Sequence, residues 1–307
     1  MAIPMTALMT VILTVQRTIK NKVIHKAGLQ KPAFLIVCKY MNKYLLLSYE
    51  EYTNLPEVVR EKVPYIYSIT SKEQWLCYFG VRHVMDPKHP QIEMLHQEWL
   101  SFLSKVPKEK TIVIYEGNIV EKSMTTLEES IKKFGETGAI VFWAKEANIL
   151  TYRPEPTIEY EANELLKEFS KEDIFYFYIM RGIVSWQRKL NPGDFDEFIV
   201  KNIKRYKEAL HWADFVFSFD TVTTVHEKLF GKEFSLENKE FLRRIQDHSF
   251  SETHINEISR QSIRIRDFFI LESIEKYWKE GYNIFVVYGS LHAKMQERAI
   301  KDMVEKT

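Results

Sequence analysis

The chain has 307 residues, 45% of them apolar and 28% charged, with a formal net charge of +1. That length can bury a core several layers thick. The near-neutral balance argues against a polyanion partner, so no nucleic acid is expected. The basic clusters are short, at 17–22 and 201–207, and the latter reads as the solvated face of a helix.

The two cysteines, Cys38 and Cys77, both lie in apolar runs. They read as reduced core residues, which suits a cytoplasmic setting. Residues 2–15 are apolar but too short to span a bilayer, and no basic segment precedes them. They read as part of an N-terminal helical segment, 1–30, packed on the domain or on a partner subunit, and no membrane association is expected. No Gly/Ser linker or repeat interrupts the remainder, so 31–307 reads as one domain.

In chain order, "AFLIVCKY" and "KYLLLSYE" predict a hairpin over 33–50, and "PYIYSI" an edge strand. "EQWLCYFG" is apolar almost throughout and reads as a strand inside the sheet. It runs into "YFGVRHVMDPKHPQ", residues 78–91. Pro90 then opens a helix with Ile92, Leu95, Trp99, Phe102 and Leu103 near helical spacing. "KTIVIYEG" is a second buried strand. A helix capped by Thr125 or Thr126 runs to Gly135, another continues through "ETGAIVFWAKEAN", and "ILTYRPEP" gives a third strand. A helical insertion spans about 160–262 and includes a helix, 171–190, that is apolar nearly all round apart from Arg181. A long helix ends at Gly281, and "YNIFVVYGSLHAKM" is the last strand. The fold class is therefore α/β: a mostly parallel central sheet flanked by helices, with an N-terminal hairpin.

Three strands end in chemistry. The first gives Gly80-Val-Arg-His83, the second Tyr115-Glu116-Gly117, and the last Gly289-Ser-Leu-His292. Parallel strands bring such endings together beyond their carboxyl ends. A glycine three residues before each histidine is expected to let the backbone turn sharply as it leaves the sheet. Two imidazoles and a carboxylate suit a divalent ion such as zinc, manganese or cobalt, with an open position for an activated water. A histidine after a buried strand can equally be a hydrogen-bonded loop residue.

Other side chains carry two readings each. Asp86 and His89 are further metal ligands or substrate contacts, or Asp86 and the prolines simply fix the turn. Glu155, held between prolines, is a second catalytic acid or a surface turn residue. Arg266, beside Asp267 in the long helix, neutralises an oxyanion or a substrate carboxylate, or it is an intrahelical ion-pair partner. Arg181 needs an acid if buried, and a site carboxylate is one choice. His96 and the later histidines have no spacing partner and read as structural. No Gly-x-Ser-x-Gly elbow occurs, which disfavours a serine nucleophile.

These motifs ("GVRH", "IYEG", "RIRD" and "YGSLHA") resemble the TraB/TIKI/ChaN/erythromycin-esterase-like superfamily over roughly Trp75 to the C-terminus. The resemblance implies a mostly parallel α/β fold with a site at the strand ends. It also implies metal-dependent hydrolysis of a peptide or ester bond, with His83, Glu116 and His292 at the centre and Arg266 nearby. Val81 and Arg82 depart from the usual motif. The superfamily also includes esterase-like and haem-binding members. A metal-free hydrolase and a non-catalytic small-ligand or haem module therefore stay open beside the metallohydrolase. The expected partners are a small-molecule or peptide substrate, and the aromatic load leaves room for a homo-oligomer.

Overall fold

The computed structural model describes residues 43–71, 73–117, 119, 125–188 and 193–306. The chain divides into two compact units, 1–44 and 45–307. Of the first unit only Lys43 and Tyr44 are described. The expected N-terminal helix, Cys38 and the first arm of the expected 33–50 hairpin lie outside the described residues.

In the second unit, 45–48 is irregular and leads into the short helices α1 (Tyr49–Thr53) and α2 (Glu57–Arg60). The second arm of the expected 33–50 hairpin therefore carries no strand. The hairpin at the N-terminal side of the sheet is instead β1 (Tyr65–Thr70) with β2 (Trp75–Val81). Then come α3 (Pro90–Leu103), β3 (Thr111–Tyr115), α4 (Leu127–Glu146) and β4 (Leu150–Tyr152). Five helices follow: α5 (Ile158–Leu165), α6 (Lys171–Gln187), α7 (Phe195–Leu210), α8 (Phe219–Phe230) and α9 (Lys239–Gln246). The long α10 (His254–Lys279), β5 (Asn283–Gly289) and α11 (Ser290–Glu305) complete the unit.

The sheet order is β1-β2-β5-β3-β4. Only β1 and β2 pair antiparallel; β2 with β5, β5 with β3, and β3 with β4 run parallel. The last strand in sequence is thus the middle strand in space. Its position brings the ends of β2, β5 and β3 side by side.

Burial on both faces explains why these strands read as continuous apolar runs. On one face Phe79, Val113, Phe285 and Val287 pack against Leu95, Trp99 and Phe102 of α3 and Ile140 and Val141 of α4. α10 and α11 lie against the sheet from β5 and β2, where the Tyr78 hydroxyl donates to Gln296 at 3.1 Å. The insertion builds a separate core around α6, where Ile174 to Met180 are buried without a break. Among the described residues no helix is long and apolar enough to cross a membrane.

α4 is not a continuous helix. Thr126 caps it by accepting from the Glu129 amide at 3.2 Å. Gly135, at φ 65° and ψ −148°, then breaks it. A β-carbon there would lie 2.6 Å from the Val84 carbonyl oxygen. Both the left-handed backbone and the close approach demand glycine. Gly135→Ala is expected to cost about 2–4 kcal/mol, strain plus overpacking, read by chemical denaturation.

Candidate functional site

The strand ends converge. β2 ends at Val81 and delivers His83 two residues later; β3 ends at Tyr115 and delivers Glu116; β5 passes through Gly289 into α11, whose first turn carries His292. A β-carbon at Gly289 would stand 3.4 Å from Glu116 Oε2, 3.7 Å from His83 Nε2 and 3.8 Å from His292 Cδ2. Three residues far apart in sequence therefore share one space.

The motif glycines work differently from the expectation. Gly80 sits inside β2, where a β-carbon would lie 2.7 Å from the Ala293 β-carbon and 2.8 Å from the Tyr65 carbonyl. It lets α11 pack closely across the strand and makes no turn. Gly289 has φ −52°, so it too needs no left-handed backbone. A β-carbon there would meet Glu116 only at ordinary contact distance; what position 289 gives Glu116 is its amide, from which Oε2 accepts at 2.8 Å. That amide lies at the start of α11, where the helix dipole favours an anion.

Glu116 also accepts from Arg266 at 2.8 Å, and its Oε2 is 3.7 Å from His83 Nε2. Burial alone pushes its carboxyl up. The Arg266 guanidinium, with the His292 and His83 imidazoles, outweighs that and holds it well below the usual carboxylate range. Arg266 donates through Nε and one terminal nitrogen to both oxygens of Glu155, each at 2.9 Å. Tyr288 donates to Glu155 at 3.3 Å. Glu155 is therefore part of the site rather than a surface turn acid. Arg266, the guanidinium shared by Glu116 and Glu155, is their anchor.

Each histidine is gripped from behind. Asp267 Oδ1 accepts from His292 Nδ1 at 2.6 Å and from Gln296 at 2.5 Å, all three being buried. His83 Nδ1 meets Glu136 Oε1 at 2.6 Å, and the other Glu136 oxygen accepts from the Val84 amide at 3.0 Å. Glu136 is 1% exposed and sits directly after the Gly135 break. Reading the sequence did not single it out. The signal was a Gly-Glu pair interrupting a helical pattern, but the partner lies 53 residues away.

The rest of 78–91 holds His83 in place. Gln91, 3% exposed, clamps Arg82 by both backbone groups, accepting from its amide at 2.9 Å and donating to its carbonyl at 2.7 Å. Asp86 and His89, expected as ligands, do backbone work instead. Asp86 accepts from the Lys88 amide at 2.9 Å in an Asx turn, and His89 caps α3 by accepting from Gln91 at 3.2 Å. Among the described residues no contact joins either to the cluster. Arg181 finds Glu161 at 3.8 Å rather than a site carboxylate. His96 stacks on Trp143 at 4.5 Å, a structural role as expected.

The hydrogen bond to Glu136, helped by Glu116 and opposed by burial, lifts His83 to about 9. A raised histidine stabilises the fold fully below its unfolded value, about 6.5, and loses that contribution as pH climbs through the folded one. The ring is 59% exposed, so solvent screening leaves about 1 kcal/mol or less. Stability is expected to fall between pH 6.5 and about 9 in the native chain. Urea midpoints of Glu136→Gln are expected to lose most of that slope.

Among the described residues no group of three His, Cys, Asp or Glu side chains stands in a ready coordinating arrangement. The donor chemistry nevertheless fits a divalent cation. His83, His292 and Glu116 supply two ring nitrogens and a carboxylate. The surrounding carboxylates, Glu116, Glu136, Glu155 and Asp267, outnumber Arg266 and a protonated His83. No family model, no curated protein and no solved structure matches the chain.

Proposed function

We propose that the chain is a metal-dependent hydrolase acting on a peptide or ester bond, with its centre at His83, Glu116 and His292. One observation carries this reading. Both imidazoles are held at Nδ1 by buried carboxylates, which leaves Nε2 of each unused by that contact, and His83 Nε2, His292 Cδ2 and Glu116 Oε2 border the same space beside Gly289. A carboxylate behind a histidine is the usual outer-shell partner of a metal ligand, fixing its tautomer and raising its basicity. The Gly-x-x-His motifs and their likeness to the TraB/TIKI group support the same reading. A divalent ion held there supplies charge stabilisation and a bound water acidic enough to ionise near neutral pH.

The chain's own residues have distinct parts. Glu136 and Asp267 orient the two imidazoles. Arg266 fixes Glu116 and Glu155 and holds the Glu116 carboxyl in its ionised form. Glu155 is the Arg266-anchored acid that is not counted among the three ligands, and it would accept the proton of the attacking water. Tyr288, buried and pushed well above its ordinary pKa by that burial, stays protonated and keeps donating to Glu155.

A second reading, a metal-free hydrolase of esterase type, draws on His83. Lifted to about 9, its ring carries a proton near neutral pH and can give it to a leaving group. Chelation separates the two. The purified chain is assayed on 4-nitrophenyl acetate and on a fluorogenic peptide, before and after chelator. The metal reading expects turnover to fall at least about a hundredfold and to return with zinc, manganese or cobalt. Turnover that survives chelation selects the metal-free reading, and none under any condition rejects both.

A further inference from the structure

α6 is buried on every side from Ile174 to Met180 and reaches the surface at Arg181 and Gly182. The Arg181 guanidinium lies 5.3 Å from the Phe177 ring centre and 5.4 Å from that of Tyr178. Its side chain is 39% exposed. Among the described residues its N–H groups make one hydrogen bond, a long one of 3.4 Å to Ser262 Oγ. The nearest acid, Glu161, is 3.8 Å away, and the oxygen it turns toward Arg181 already accepts from Ser262 at 2.6 Å. None of the Arg181 nitrogens is a buried orphan. The unused N–H groups therefore open onto solvent.

Where they open matters. Ser262 and Arg266 lie four residues apart on α10, hence on one face about 6 Å apart along the axis. Arg181 touches the first and the site uses the second. The Arg266 charge is close enough to be felt at Arg181, where it opposes the stronger pull of Glu161. Arg266 is fully engaged by two carboxylates, whereas Arg181 is held at one edge only. A planar guanidinium resting on aromatic rings with a free fork is well matched to a carboxylate.

We propose that Arg181 is a substrate-recognition residue, contributed by the helical insertion, that binds a carboxylate carried by the substrate about one turn of α10 from the Arg266 anchor of the site. This deepens the hydrolase reading and rests on it for the word substrate. The anion site itself can be tested without turnover.

The full-length protein is titrated with adipate, and with neutral adipamide as control, while the Arg181 Nε–H resonance is followed by NMR. A saturable shift with adipate and none with adipamide is expected. The affinity should weaken about tenfold in Arg181→Lys, which keeps the charge but loses the fork. Binding should vanish in Arg181→Gln. Because that variant strands Glu161, Arg181→Gln/Glu161→Gln is measured beside it, with the same loss expected. No saturable shift, an equal response to adipamide, or undiminished binding in both glutamine variants overturns the proposal.

With turnover in hand, Arg181→Gln should raise KM about tenfold for mono-4-nitrophenyl adipate, with kcat little changed and 4-nitrophenyl acetate unaffected. Equal effects on both esters also overturn it. Saturable adipate binding without hydrolysis of either ester would sink the hydrolase reading and leave the anion site standing.

Discussion

Arg266→Met is expected to destabilise the protein by about 3–5 kcal/mol, because it strips the cation from two largely buried carboxylates. Arg266 makes three hydrogen bonds to Glu116 and Glu155, whose side chains are 14% and 13% exposed. Without it burial dominates, and Glu116 moves back toward or above its ordinary value. The sign for pH follows. A carboxyl held below its unfolded value stabilises the fold above the usual carboxylate range and loses that contribution as pH falls through the folded value. The native chain therefore loses this stabilisation progressively as pH falls from the usual carboxylate range into strong acid, while the variant has none of it to lose and is relieved at milder pH as the buried Glu116 protonates. Arg266→Lys should recover part of the stability only, since one ammonium cannot fork across both acids. Urea midpoints across pH read both effects. Equal acid profiles for the native chain and Arg266→Met would contradict this account of Glu116.

The second large effect is expected at Asp267, where alanine and asparagine should part company. Both donors, His292 and Gln296, converge on Oδ1, and among the described residues Oδ2 has no hydrogen-bond partner. Asparagine can keep its oxygen in the Oδ1 position and accept from both. Alanine leaves two buried donors unpaired, at about 2–4 kcal/mol. Asp267→Asn should therefore fold close to normally while losing the negative charge behind His292. If the two variants are equally unstable, the charge on Asp267 matters to the fold more than its hydrogen bonds do.

The sheet was legible in the sequence because its strands are buried on both faces, which turns them into uninterrupted apolar runs. The strand endings were legible because glycine, histidine and acid stand out directly after such a run. Three features were not. The role of the motif glycines depends on what packs above them: Ala293 over Gly80, and Glu116 beside Gly289. Asp86 and His89 have ligand chemistry, but an Asx turn and a helix cap use the same side chains. Glu136 was invisible because its function lies in a contact with His83 that no local pattern encodes. Arg181 was singled out for its charge inside an apolar helix, but only the fold assigns it to Glu161 and Ser262.

The central claim is that His83, Glu116 and His292 form one cation site, and metal affinity tests it most directly. Apo protein would be titrated with cobalt(II), following visible absorption and heat, beside His83→Ala and His292→Ala. The account predicts one ion per native chain, with affinity reduced at least about a hundredfold in each variant while both remain folded. Stoichiometric binding that survives both substitutions would place the ion elsewhere. No binding by the native chain would contradict the account outright.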